Sequence, residues 1–303
     1  NENGLGSVLF NALNYSPLFD TDQEDLSGLL GNEVINPLSQ IKNTFNNYKG
    51  NAIEGNFQLE YKPIEDLSIT SRIGIKSYND KGKSFSPIVN YGSGKVFNTD
   101  RSSVFQFRNT NISYTWETFA NYDKIFLKNH HATITIGTSA QRVWGDNLSA
   151  TGFDVPNNSW EFADISLANG LSDAKSNSSY IYDNRLTSYF GRIQYDFKGK
   201  YLLSAMIRRD GASDFAPENR TDYFSSATAG WKISDESFLE DSEVINFLKL
   251  RGSYGTLGNN AGGDLYRALL SGEATYVFDG ALVSGVATGR IPTPNSVWEE
   301  AEK

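Results

Sequence analysis

Few side chains in this 303-residue sequence could carry covalent chemistry. There is no cysteine, which excludes disulfides, cysteine-ligated zinc and thiol catalysis. The two histidines, His130 and His131, are neighbours, and neighbouring side chains of a strand point to opposite faces, so they cannot easily share a metal ion. No motif supports a serine nucleophile or a pair of carboxylates across a cleft. The sequence therefore predicts no enzyme activity, no metal and no cofactor.

Other residue types suit binding rather than catalysis. Trp144, Phe153 and Trp160 lie in the polar segment 142–184. Aromatic faces stack on sugar rings and offer a large contact area, which makes these three residues candidate substrate contacts. They could equally anchor the segment on itself or grip a partner protein, because loops both carry function and pack on themselves.

The elements that would position these residues are strands. Apolar and polar residues alternate along eight segments, and no long stretch fits a helical period as well. This pattern predicts an all-β protein of about eight or nine strands. The alternating segments are 57–62, 67–76, 111–122, 132–136, 188–197, 201–207, 227–233 and 248–254.

The links between these strands alternate in length. The short links are 63–66, 123–130 and 198–200, and the long, polar ones are 78–103, 142–184 and 256–290. Outer-membrane barrels have short periplasmic turns and long external loops, whereas a sandwich has no reason to keep its long loops at one end. Aromatic residues gather near the short links, as they do at a membrane interface. They are Tyr61, Tyr122, Phe126, Tyr195, Phe197, Tyr201 and Trp231.

Composition excludes two further classes. The chain has 27 Lys and Arg against 36 Asp and Glu, a net charge of −9, whereas nucleic-acid binding needs a basic surface. No window of 18 apolar residues exists, which excludes a membrane-spanning helix. The pattern predicts an antiparallel transmembrane β-barrel, in which only alternate residues face lipid. Because the chain stops at Trp298-Glu299-Glu300 without a closing strand, we expect residues 1–303 to form one portion of a larger barrel, with no second domain.

Two long runs carry a family resemblance. They are LLSAMIRRDGASDF at 202–215, continuing to AGWKIS at 229–234, and LKLRGSYGTLGN at 248–259. In these runs the chain resembles the SusC/RagA family of TonB-linked outer-membrane transporters of Bacteroidetes. The resemblance is dense over 185–260 and collinear but thin elsewhere. Ser225 departs from the family pattern, which has proline there.

The resemblance implies a plugged barrel of 22 strands, the size class whose lumen is filled by a separate domain. It also implies import of oligosaccharides or peptides with energy delivered by TonB. A SusD-like lipoprotein would cover the extracellular mouth. The plug and the TonB-contacting segment of such transporters lie N-terminal to the matched region, so we expect both to be absent from this chain.

Four ionisable residues fall in or beside the resembling runs: Arg208, Asp210, Arg220 and Arg251. Ionisable groups in the membrane zone must face the lumen or sit at its rim. Parity places Arg208 and Asp210 opposite the apolar alternation of β-residues 203–207, and hence inward. They are candidate contacts for a plug or for passing substrate, and equally candidates for lumen salt bridges and loop anchoring.

The sequence thus predicts TonB-dependent outer-membrane import of a glycan, an oligosaccharide or a peptide, with barrel wall and external loops supplied by this chain. The expected partners are a SusD-like lipoprotein, the TonB complex through segments outside this chain, the substrate and outer-membrane lipid, but no nucleic acid. Two alternatives remain open at this point. One is a soluble β-sandwich that binds or hydrolyses carbohydrate, and the other is a non-gated, porin-like barrel.

Overall fold

The computed structural model describes residues 5–20, 33–169, 175–239, 242, 244–261 and 269–303. Two helices, α1 (Leu5–Asn14) and α2 (Pro37–Lys42), precede the first strand. Asn36 caps α2, because its side-chain oxygen accepts the backbone N–H of Leu38 at 2.9 Å. No helix in the described part of the chain is long and apolar enough to cross a membrane.

Antiparallel strands make up most of the described residues. They are β1 (Phe45–Ile64), β2 (Leu67–Ser86), β3 (Ser103–Phe126), β4 (His130–Phe153), β5 (Lys175–Phe197), β6 (Tyr201–Ala212), β7 (Thr221–Lys232), β8 (Lys249–Asn259), β9 (Leu269–Phe278), β10 (Ala281–Arg290) and β11 (Glu299–Glu302). Nine of them form one sheet in the order β1-β2-β3-β4-β5-β6-β7-β8-β11, whereas β9 and β10 pair only with each other. Sequential neighbours therefore pair in a simple meander.

All eight alternating segments of the sequence coincide with strands β1 to β8, which confirms the all-β prediction. The expected lengths of the loops were wrong. β2 continues to Ser86, β4 continues to Phe153 and β5 begins at Lys175, so the predicted links 78–103 and 142–184 are largely strand. Both faces of these strand ends are polar, and a strand without an apolar face shows no period-2 signal.

The predicted link 256–290 was also wrong in part, because it contains the hairpin β9–β10. The chain does return to the sheet after this hairpin, since β11 pairs with β8 through Glu299↔Asn259 and Ala301↔Leu257. A run of three glutamates and one alanine carries no apolar alternation, so nothing in the pattern indicated a strand there. Residues 170–174 and 262–268 of the two links lie outside the described residues.

The chain divides into two compact units. The first comprises residues 1–53, 77–111 and 145–182, and the second comprises 54–76, 112–144 and 183–303. The core of the first unit contains Phe85, Val104, Val155 and Ala163, each at most 6% exposed. Asp164 holds the chain beside this core, because it accepts the backbone N–H of Ser166 at 2.9 Å and its hydroxyl at 2.7 Å. These bonds hold the pKa of the Asp164 carboxyl below its usual range.

The second unit has two sheet faces of different character. Along β6, Tyr201, Leu203 and Ile207 are exposed on one face, whereas Ser204, Met206 and Arg208 alternate with them on the other. Apolar side chains exposed to the surroundings on a single face are expected where a strand contacts lipid. We call the face of Leu203 the outer face and that of Ser204 the inner face.

Aromatic rings collect at the short-turn end of the second unit. The ring of His130 lies 5.4 Å from Phe126 and 4.8 Å from Phe197, centroid to centroid, and Tyr201 stacks on Phe197 at 6.2 Å. His130 is thus part of an aromatic cluster. The turn itself is a two-residue hairpin, in which Lys198 (φ 58°) and Gly199 (φ 70°) both adopt the left-handed conformation.

The two faces predict opposite responses to the same substitution. In the full-length protein, Leu203→Arg places a charge on the outer face, and we expect it to prevent assembly at a cost of about 2–4 kcal/mol near the membrane midplane. Ile193→Arg should behave in the same way. Gln194→Arg, on the inner face, is the matched control and should assemble normally. Heat-modifiable migration of the outer-membrane fraction on gels reports assembly, and equal tolerance of the three variants would contradict this assignment of faces.

Candidate functional site

The three candidate aromatic residues do not lie in one loop. Trp144 and Phe153 are on β4, and only Trp160 is in the connection between β4 and β5, in a short 3₁₀ turn (Trp160–Phe162). The expectation that all three occupy a loop was wrong, because β4 extends well beyond the apolar stretch that predicted it. Trp144 belongs to the second unit, and Phe153 and Trp160 belong to the first.

Trp144 stands beside a charged triad. The guanidinium carbon of Arg142 lies 4.6 Å from the centre of the Trp144 ring, and Tyr114 packs edge-on at 6.1 Å. Arg142 donates two hydrogen bonds of 2.9 Å to the carboxylate of Asp183, which also accepts one of 2.7 Å from Arg185. The triad therefore fixes the guanidinium that covers the indole.

Phe153 and Trp160 likewise have partners within the first unit. The guanidinium carbon of Arg101 lies 4.7 Å from the centre of the Phe153 ring. The ring of Trp160 stacks on Phe45 at 5.8 Å, and the Nζ of Lys83 lies 4.0 Å from its centre. These contacts support the alternative in which the aromatic residues anchor the chain on itself.

Arg208 and Asp210 form an ion pair on the inner face of β6. The Nε of Arg208 donates to Asp210 Oδ1 at 2.7 Å, and its NH2 group donates to the hydroxyl of Ser188 at 2.9 Å. Ser188 lies directly opposite Asp210 in the β5–β6 ladder and is completely buried. The three side chains therefore join two strands, as the sequence alternative of a lumen salt bridge predicts.

Arg220 anchors the connection between β6 and β7. Its Nε donates to the carbonyl of Phe215 at 3.1 Å, and its own carbonyl accepts the indole N–H of Trp298 at 3.1 Å. Phe215 and Trp298 pack at 5.2 Å in the core of the second unit, together with Phe224. Arg220 thus serves the packing of this core.

Arg251 is separated from the Arg208 pair and lines a cavity of about 500 Å³ on the inner face. It lies opposite Gly230, whereas Arg208 lies opposite Phe224, six residues away along β7. The sequence grouped Arg208, Asp210, Arg220 and Arg251 as lumen or plug contacts, and the structure distributes them over three places. Their contact with a plug or a substrate stays a prediction.

Sequence reasoning missed two other cations of this cavity, Arg192 and Lys249. Parity along β5 and β8 was the available signal, because both residues have the register of the inner face. It also missed a cavity of about 590 Å³ in the first unit, which is lined by four cations. These are Lys49, Lys81, Lys83 and Arg108.

Comparison with known proteins places this arrangement. No protein-family model matches the chain. TonB-dependent receptor P26 of Formosa agariphila is 30% identical over 305 residues, covering 98% of this chain and 30% of the relative. TonB-dependent receptor SusC of Bacteroides thetaiotaomicron is 30% identical over 237 residues, covering 77% of this chain and 22% of the relative. The chain is a homologue of the SusC-type TonB-dependent receptors. The resemblance in the two sequence runs is confirmed.

Solved structures agree on the fold of this SusC homologue. It superimposes on a chain of the RagAB peptide transporter with a TM-score of 0.75 at 21% identity, covering 89% of this chain and 29% of that one. The RagAB peptide importer in its open-open state gives a TM-score of 0.74 at 21% identity, covering 88% and 28%. The fold is therefore that of a transporter barrel wall, and the predicted outer-membrane location is confirmed. The chain spans 30% or less of the length of the curated relatives that it matches.

The Arg208 network generates a stability prediction for the full-length SusC homologue. Asp210→Ala leaves the Arg208 guanidinium without its carboxylate next to buried Ser188, and we expect the free energy of unfolding to fall by about 1–3 kcal/mol. Asp222→Ala is the control, because Asp222 lies opposite Asp210 but accepts the backbone N–H of Tyr223. Denaturant midpoints in lipid vesicles measure both effects. Equal midpoints for the two variants would contradict a role for the pair.

Proposed function

We propose that this chain forms part of the barrel wall and external loops of a TonB-dependent outer-membrane importer. The observation that carries the proposal is homology to TonB-dependent receptors over 98% of the chain, combined with one exposed apolar sheet face and one polar face. An apolar outer face fits lipid contact, and a polar inner face fits a wet transport path.

The cargo in this proposal is a glycan or oligosaccharide, or a peptide. A printed name supports the peptide branch, because the structural neighbours are described as a peptide transporter. At 21% identity that likeness carries the fold and leaves the substrate to direct measurement. The chain itself would bind and guide cargo without catalysis, since its relatives are named as receptors and its structural neighbours as transporters.

The proposed partners lie at the two ends of the transport path. A SusD-like lipoprotein would close the outer mouth, and cargo captured between it and the loops would pass through a lumen vacated by movement of a plug. The plug and the TonB-contacting segment would lie in other parts of the whole protein. This wall segment would supply contacts along the path, while the energy would enter through TonB.

The exposed outer face argues against the soluble sandwich alternative. Large side chains such as Ile193, Leu203 and Tyr254 are each more than half exposed on one sheet face. A soluble module would place polar residues there. The porin-like alternative shares this outer face, so the requirement for TonB is what separates it from the proposal.

Uptake in the native cell tests the proposed function. We expect deletion of the gene for the whole protein to abolish accumulation of one labelled oligosaccharide or peptide class, and deletion of TonB to have the same effect because import is energised. Re-expression of the whole gene is the control for polar effects. Uptake that persists without TonB would favour the non-gated porin, and a heat-insensitive soluble protein in cell fractions would contradict a barrel altogether.

A further inference from the structure

The inner face of the second unit carries an unusually cationic surface close to the short turns. Arg192 on β5 and Lys249 and Arg251 on β8 line the 500 Å³ cavity described above. Among the described residues, none of the three is within ion-pair distance of a carboxylate. Cations on a barrel wall that do not pair with the wall itself are available to a ligand.

Charge bookkeeping over the cavity favours an anion. Asp196 is the one carboxylate among the described residues that line it, and one of its oxygens already accepts the backbone N–H of Gly199 at 2.6 Å. His131 also reaches the cavity, but its Nε2 lies 3.0 Å from the carboxylate of Asp123. The three unpaired cations therefore outweigh the single acid, and the local potential is positive although the whole chain carries −9.

The floor between the cations is small and polar. Gln194, Ser204 and Thr228 lie side by side across three strands in the hydrogen-bonded register, and all three line the cavity. Their amide and hydroxyl groups both donate and accept hydrogen bonds. Such groups match the hydroxyls of a sugar chain, which needs many short polar contacts and few apolar pockets.

Gly230 opens the floor toward the cationic corner. It lies opposite Leu202 on one side and Arg251 on the other. A Cβ at this position would lie 3.3 Å from Cε of Lys249, so the missing side chain lets the lysine extend across β7. Arg192 stands three strands from Arg251, which is roughly 14 Å at a strand spacing near 4.8 Å. The cations thus flank a bed wide enough for an extended chain.

We propose that this cationic bed, defined by Arg192, Lys249, Arg251 and the polar floor of Gln194, Ser204 and Thr228, binds anionic oligosaccharides during import. The ligand class is a sugar chain carrying sulfate or carboxylate groups. The inference rests on the proposed function, which makes the inner face part of the transport path, and deepens it by naming the charge of the cargo. Guanidinium groups hold sulfate and carboxylate oxygens with two parallel hydrogen bonds, and these charge-assisted bonds are stronger than neutral ones.

Binding to the full-length purified protein tests the proposal. The probes are a sulfated oligosaccharide, the desulfated chain of the same sequence and an acidic peptide of similar length and charge. The wild type should bind the sulfated chain about tenfold more tightly than the desulfated one, and added salt should reduce that preference. Combined Arg192→Gln, Lys249→Gln and Arg251→Gln should remove the preference and leave binding of the desulfated chain unchanged.

A matched pair of single variants controls for net charge. Arg251→Gln removes one charge from the inner face, and Arg209→Gln removes one from the outer face, where Arg209 lies 6.0 Å from the Tyr189 ring. Only Arg251→Gln should weaken binding of the sulfated chain, by about threefold. Equal effects of the two variants, an unchanged preference in the triple variant, or equally tight binding of the acidic peptide would each overturn the proposal.

Uptake by cells separates this inference from the proposed function on which it rests. If TonB-dependent import of neutral cargo persists in the triple variant while the wild type shows no preference for the sulfated chain, the cationic bed is refuted and the importer stands. If the wild type imports nothing in a TonB-dependent way, the importer itself is refuted. Heat-modifiable migration of each variant confirms that the barrel has assembled, so a loss of binding is not a loss of fold.

Discussion

The pairing of backbone N–H and C=O groups between neighbouring strands is the constraint on which the whole chain depends. A membrane interior supplies no water to replace a missing hydrogen bond, so each strand must be completed by its neighbours. The meander from β1 to β8 meets this requirement with the shortest possible connections at one end. Once the ladder is fixed, side chains alternate between two environments, and this alternation decides which residues meet lipid and which meet cargo.

The same constraint explains how much of the molecule could be predicted. Strands β1 to β8 were readable because one of their faces is apolar, as Ile193 and Leu203 illustrate. The ends of β2, β4 and β5 were not readable, since Ser77–Ser86 and similar stretches are wetted on both faces and lose the two-residue period. β11 pairs through its backbone alone, and no choice of side chain announces it.

The candidate sites divide along similar lines. The pair Arg208 and Asp210 was readable from two-residue spacing, which puts both side chains on one face of β6. Arg220 was assigned to the lumen or plug because its sequence neighbourhood resembles a family run, yet its role in the core depends on Trp298, 78 residues away. The cationic bed required the register of β5 to β8, because Arg192 and Arg251 come together only through the pairing of intervening strands.

Pairing of β11 with β8 has an evolutionary consequence. The strands meet at Glu299 and Asn259, so everything between them, including the hairpin β9–β10, is a closed excursion from the sheet. Doubling the length of such an excursion costs only about 0.6 kcal/mol in closure entropy. Insertions, deletions and drift in this segment therefore leave the wall intact. Lineages that share this barrel are free to diversify at the hairpin while the strands on either side stay under selection.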